Sequence, residues 1–166
     1  MATALFVTTT DIAKFTSLNG NLDPDKFTDK MKVAQDIHIQ SILGTDLFNK
    51  INNDIVSGTL ASPYTTLLTS YIKPMVIHYT MVEYLPFASY TIGNKGVYKH
   101  SSENGETISK EEMDSLIEKE RSLAQHYTQR FVDYMCFNMS SFPEYNSNSN
   151  GDMYPRGENN LNGWYL

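Results

Sequence analysis

The stretch SPYTTLLTSYIKPMVIHYTMVEYLP, residues 62–86, decides how the chain is read. Leu68, Tyr71, Ile72, Met75, Tyr79, Val82 and Leu85 recur at helical spacing and form one apolar face. Val76, Ile77, Met81 and Tyr84 leave little of the remaining circumference polar. A helix that is apolar nearly all round must be covered on all sides, so this one is expected at the centre of a bundle. Ser62-Pro63 is a cap-then-proline start, Pro74 predicts a kink, and Pro86 an end or a second bend. Lys73, Pro74, His78 and Glu83 interrupt the apolar run, which is too short to span a bilayer. The expectation is a soluble chain with no membrane partner.

Outward from this helix, the signals stay helical. Thr8 and Asp11 have capping-box spacing and open a short helix reaching about Leu18, which Asn19-Gly20-Asn21 ends. Asp23-Pro24 starts the next, with Phe27, Met31, Ala34, then Ile37 or His38, then Ser41 or Ile42 at helical spacing. Leu43-Gly44-Thr45-Asp46 reads as a stop and restart, with Gly44 in the left-handed position and Thr45 as the following cap. Leu47, Phe48, Ile51 and Ile55 carry a short helix to Ser57-Gly58.

On the other side, GNKGVYKHSSENG, residues 93–105, breaks the pattern with three glycines and reads as a long loop or a small hairpin. Ser109 and Glu112 form a second capping box. Met113, Leu116, Ile117, Leu123, Ala124, Tyr127, Phe131, Tyr134 and Met135 then run down one helix face to about Asn138. Glu111, Glu118, Lys119, Arg121, Gln129 and Asp133 make the solvated face. No period remains after Phe142. The fold class that follows is all-α: a small bundle of four to five helices with a long loop and an extended C-terminal tail, divided into a helical domain 1–142 and an arm 143–166.

Charge and chemistry narrow the function. Thirteen Lys and Arg stand against 19 Asp and Glu, for a net charge of −6 without a basic block, which disfavours binding a phosphate backbone. The single cysteine, Cys136, excludes an internal disulfide and reads as a small buried hydrophobe in a reducing compartment. The N-terminus MATALFVTTTDIAK carries no secretory pattern. His38, His78, His100 and His126 show no metal-ligand spacing; His78 and Glu83, five apart, point different ways. His78 and His126 read as core histidines. There is no Gly-x-Ser-x-Gly elbow, and GNKG is too short for a phosphate loop. The expectation is a protein without catalysis, cofactor or metal. The 12% aromatic content points to protein contacts instead.

At QSILGTDLFNKI, residues 40–51, and at NMSSFPEY, residues 138–145, the sequence resembles the head-tail connector (adaptor) proteins of tailed phages, in the version found in phages of Bacteroidetes hosts, including the crAss-like group. The resemblance covers most of the chain, in the order of its elements, and contains no catalytic signature. It implies a virion protein of the neck between capsid portal and tail, assembled in the host cytoplasm as a homo-oligomeric ring, twelvefold like the portal it docks on. Portal protein and neighbouring neck or tail ring proteins would be its partners, and packaged DNA would pass through the channel without specific binding. An acidic wall suits that passage, because it does not hold DNA.

The resemblance also implies that loop and terminal extension make the contacts: Lys95, Val97, Tyr98, Lys99 and His100 in the loop, and Tyr145, Met153, Tyr154, Pro155, Arg156, Trp164, Tyr165 and Leu166 in the arm. The residues themselves read the same way. The Asn, Ser and Gly between Asn146 and Gly151 supply reach, while Trp164, Tyr165 and Leu166 supply an apolar grip; the expectation is a tail that is disordered in the free subunit and orders on assembly, the alternative one that folds back onto its own domain. The rival reading is a helical regulatory or inhibitor domain that binds a host protein through this tail. A small helical enzyme comes third.

Overall fold

Two helix starts are fixed by side chains three residues apart. The computed structural model describes residues 3–17, 25–88, 90–93, 96–99 and 109–147. In it the Thr8 hydroxyl accepts from the Asp11 N–H and the Asp11 carboxylate from the Thr8 N–H, opening α1, Thr9–Phe15. α1 stops short of Leu18; the expected stop at 19–21 and the Asp23-Pro24 start lie outside the described residues.

α2, Asp25–Ala34, continues through a wide turn, Gln35–Ile39, into α3, Gln40–Leu43. The Gln40 N–H bonds the Gln35 carbonyl, one residue further back than in a regular helix, which rotates the rest of the rod by about 100°. Phe27, Met31, Ala34, Gln35, Ile39 and Ile42 therefore face inward, and Ile37, an inward candidate by simple spacing, is 58% exposed. α4, Thr45–Ser57, follows. Gly44, not Thr45, flanks its start, at φ 75° and ψ 156°, a conformation open to glycine but outside the left-handed helical basin. That basin is used at Gly58, φ 69° and ψ 22°, whose N–H closes α4 on the carbonyls of Asp54 and Ile55.

The decisive stretch forms α5, Tyr64–Leu67, a second wide turn, Leu68–Ile72, and α6, Lys73–Tyr84. Its expected cap-then-proline start is not formed: Pro63 itself flanks α5, and no side chain caps it. The irregularity predicted for Pro74 is the wide turn just before it. Proline lacks an N–H and crowds the carbonyl four residues back, and the wide turn makes room. A tight turn at Leu85–Phe87, containing Pro86, ends the rod. α6 occupies the centre, packed by α2 on one side and α7, Lys110–Asn138, on the other. Met75, Val76, Ile77, Thr80, Met81, Val82 and Tyr84 are all buried in it. α7 opens at the Ser109–Glu112 capping box and buries Ala124, Phe131 and Met135.

Between α6 and α7 lies a two-stranded antiparallel hairpin, β1, Tyr90–Gly93, and β2, Gly96–Lys99, with Tyr90 opposite Lys99. The fold is the small all-α bundle expected; its hairpin begins at Tyr90 and overlaps only the start of the stretch 93–105 read as a loop or hairpin, of which 100–105 lie outside the described residues. Its C-terminal edge differs. Phe142 is fully buried, and α8, Pro143–Asn146, packs on α4 with Tyr145 buried against Phe131, ring centroids 5.9 Å apart. The folded part thus includes 143–147, which the sequence assigned to the arm. Among the described residues no helix is long and apolar enough to cross a membrane.

Candidate functional site

The polar residues that interrupt α6 hold it to both neighbours. His78 donates from Nδ1 to Glu120 Oε2 on α7 at 2.7 Å, and its ring stacks on Tyr127 with centroids 5.3 Å apart. Glu83 accepts from His38 Nε2, in the wide turn of the α2–α3 rod, at 2.9 Å, and His38 stacks on Tyr79 at 4.2 Å. The same unit thus occurs twice: an imidazole bonded to a carboxylate of the next helix and covered on one face by a tyrosine. His78 and Glu83 do diverge, and each finds its partner on a different helix. A carboxylate-held imidazole can orient a general base. Here, among the described residues, no Ser, Thr or Cys side chain hydrogen-bonds either ring, and no cluster of three or more metal-ligating side chains occurs. The contacts align helices.

Beside the second unit, whose His38 and Tyr79 help line it, lies an open cleft of about 430 Å³ between α3 and α7, over α6. Ile42, Tyr79 and Val132 line its apolar part, and Ser41, Gln125, Thr128 and Gln129 its polar part. A second hollow, about 350 Å³, lies between the N-terminal segment and α4, lined by Leu5, Ile55, Leu60 and Leu68 with Asp54 and Lys73. Lys73 reaches across to Asp11 at 3.0 Å. Partial burial disfavours the Asp11 carboxylate, but the Thr8 bonds and the Lys73 ammonium prevail and hold its pKa below the ordinary value.

The expected contact residues divide three ways. Val97, Tyr98 and Lys99 lie on β2, paired with Ile92, Thr91 and Tyr90. Lys95 and His100, and Met153, Tyr154, Pro155, Arg156, Trp164, Tyr165 and Leu166, fall outside the described residues. Tyr145 is a correction: it is 6% exposed, part of the core, and unavailable to a partner. Burial also pushes its phenol pKa up. The root of the arm is anchored at Tyr64, whose hydroxyl donates to Glu144 Oε2 at 2.6 Å and whose ring meets Phe142 edge-on. Burial, then the hydrogen bond to Glu144 and its charge, push the Tyr64 pKa well up.

Two further expectations are corrected. Cys136 is exposed rather than buried, because Met135 takes the inward position and the next residue lies about 100° round the helix. His126 is exposed for the same reason, one position from the half-buried Tyr127. Apolar side chains also emerge at both ends of α7: Leu116 is 50% and Phe137 89% exposed. Sequence reasoning placed Leu116 in the core and did not single out Phe137.

The profile of the family of unknown function DUF6712 matches residues 39–154, well over half of the chain. No curated protein and no solved structure matches it.

Proposed function

We propose that this chain, which belongs to the DUF6712 family, is a structural subunit that assembles with copies of itself into a ring between a phage portal and tail. The observation that carries the reading is the pair of exposed apolar positions on α7. Leu116 and Phe137 are 21 residues apart, about 30 Å along the helix axis. A ring subunit needs two different contact patches, because head-to-tail interfaces close only when each copy offers one patch to each neighbour. A side chain as large as Phe137 at 89% exposure is a natural anchor for such a contact. The net charge of −6 supports a channel that passes DNA without retaining it. The resemblance of residues 40–51 and 138–145 to phage connectors supplies the partner: the portal, with hairpin and arm as the reaching elements.

Electron microscopy of the subunit mixed with portal tests the reading. Rings stacked on portals are the expected result. The isolated subunit stays monomeric at micromolar concentration by native mass spectrometry, since the contact area of one small domain needs the template to supplement it. Subunits and portals that remain separate at high concentration refute the proposal, as does a turnover abolished by His78→Ala in a folded protein.

A further inference from the structure

We propose that the α3–α7 cleft is the seat of the chain's own C-terminal tip, residues 159–166, which docks there in the free subunit. The inference stands apart from the ring reading and needs neither portal nor neighbour.

The cleft selects by chemistry. Its base is apolar, from Ile42, Tyr79 and Val132, and its sides are polar, from Ser41, Gln125, Thr128 and Gln129 with the Glu83-bound imidazole of His38. No Lys, Arg, Asp or Glu lines it. Such a surface suits an uncharged segment that brings large apolar side chains to the base and amides to the rim. Asn159 to Leu166, NNLNGWYL, has no ionisable side chain other than Tyr165, and it alternates Asn and Gly with Leu161, Trp164, Tyr165 and Leu166. Burying one aromatic or Leu side chain contributes about 1.5–3 kcal/mol.

Reach selects as well. The root of the arm is tied to the end of α7, where the Asn146 side chain donates to the Met139 carbonyl and the Ser147 N–H bonds the Pro143 carbonyl. From Met139 the cleft residues on α7, Val132 back to Gln125, lie about 10–20 Å away along the axis. Between Ser147 and Trp164 run 16 residues, rich in Asn and Gly, a chain length whose root-mean-square span is roughly 20–25 Å. Span and distance match. That is the condition under which a tethered segment reaches its highest effective concentration, so the chain's own cleft outcompetes that of a second copy in dilute solution.

Trp164 is the chain's single tryptophan and reports its own environment. In the full-length protein its emission is expected at the short wavelength of a buried indole, unchanged on dilution, and weakly quenched by acrylamide. Val132→Lys, which puts a charge in the base of the cleft, is expected to move the emission to the exposed wavelength and raise quenching several-fold. Gln129→Arg, at an exposed position, reads the same where Val132→Lys does not fold. Exposed emission in the unaltered chain overturns the proposal. So does a blue shift that appears only as concentration rises, which places the tip on a second copy. A blue shift retained by a folded cleft variant places the tip elsewhere and overturns it too. Because portal binding is read separately by microscopy, failure of the ring and failure of the seat are told apart.

Discussion

Gln35→Met tests how the N-terminal segment is held. Gln35 is fully buried; its Oε1 accepts from the Phe6 N–H and its Nε2 donates to the Ala4 carbonyl, both at 2.9 Å. Asn52 adds a third tie, accepting from the Ala4 N–H at 2.8 Å. These bonds seat Phe6, 2% exposed, against Phe48, with ring centroids 5.1 Å apart. Methionine keeps the length and apolar body of glutamine and removes both bonds. The buried Phe6 N–H then loses its partner at a cost of about 1–3 kcal/mol, and the less buried Ala4 carbonyl adds about 1 kcal/mol. Burying a thioether instead of an amide returns part of this, so the expected loss is about 2–3 kcal/mol. For a domain of this size that is about 5–10 °C in Tm. Urea unfolding with a global fit reads the loss, and amide exchange reads the Phe6 N–H directly. A loss below about 0.5 kcal/mol with the Phe6 amide still protected refutes the assignment of these bonds as the anchor.

Three further outcomes follow from the same structure. A chain truncated after Ser147 keeps α8, whereas one truncated after Phe142 loses Tyr145 and the Tyr64–Glu144 bond; chemical denaturation is expected to place the shorter one about 3–5 kcal/mol lower, and equal stabilities would return the domain edge to 142. Because the folded-state pKa of Tyr64 is raised, its contribution is constant below the ordinary phenol value of 10.0 and falls as pH rises above it; Tyr64→Phe is expected to flatten the alkaline loss of stability, measured by melting between neutral and strongly alkaline pH. A double-mutant cycle of His78→Ala and Glu120→Gln, side chains 12% and 15% exposed, is expected to show coupling of about 0.5–2 kcal/mol; additive losses would mean that the contact aligns nothing.

Legibility followed range along the chain. Both capping boxes and the Gly58 stop were readable because each joins residues within five positions. The central place of α6 was readable because an apolar circumference has one solution. The first wide turn defeated simple spacing: it adds a residue to a turn, so Ile39 takes the inner place read for Ile37 or His38, and of Ser41 or Ile42 it is Ile42 that is buried. A trace existed, since the apolar positions Ala34 and Ile39 stand five apart, and Pro74 marked the second turn. Positions 143–145 read as tail because one turn is too short to show a period, though Phe142 and Tyr145 are spaced for one helical face. Gln35, Asn52 and the His–Glu pairs were illegible because their partners lie 29 to 48 residues away. Pattern reasoning cannot choose a polar partner at that distance.

Those illegible contacts solve a problem that the legible pattern creates. Apolar packing around α6 is non-directional, so a helix apolar on every side can rotate or slide at little cost. His78 and Glu83 are five residues apart, about 140° round the axis, and bond to α7 and to the α2–α3 rod respectively. Two directional bonds on opposite faces leave one rotation and one height at which both are made. The stacked Tyr127 and Tyr79 rings narrow this further, since each covers the imidazole only at that setting. The bundle therefore gets cohesion from residues any helix former could supply and register from four polar side chains. That division leaves Leu116 and Phe137 on α7, like Phe15, Ile37, Val56 and Phe87 elsewhere, exposed outside the core and adding little to its cohesion.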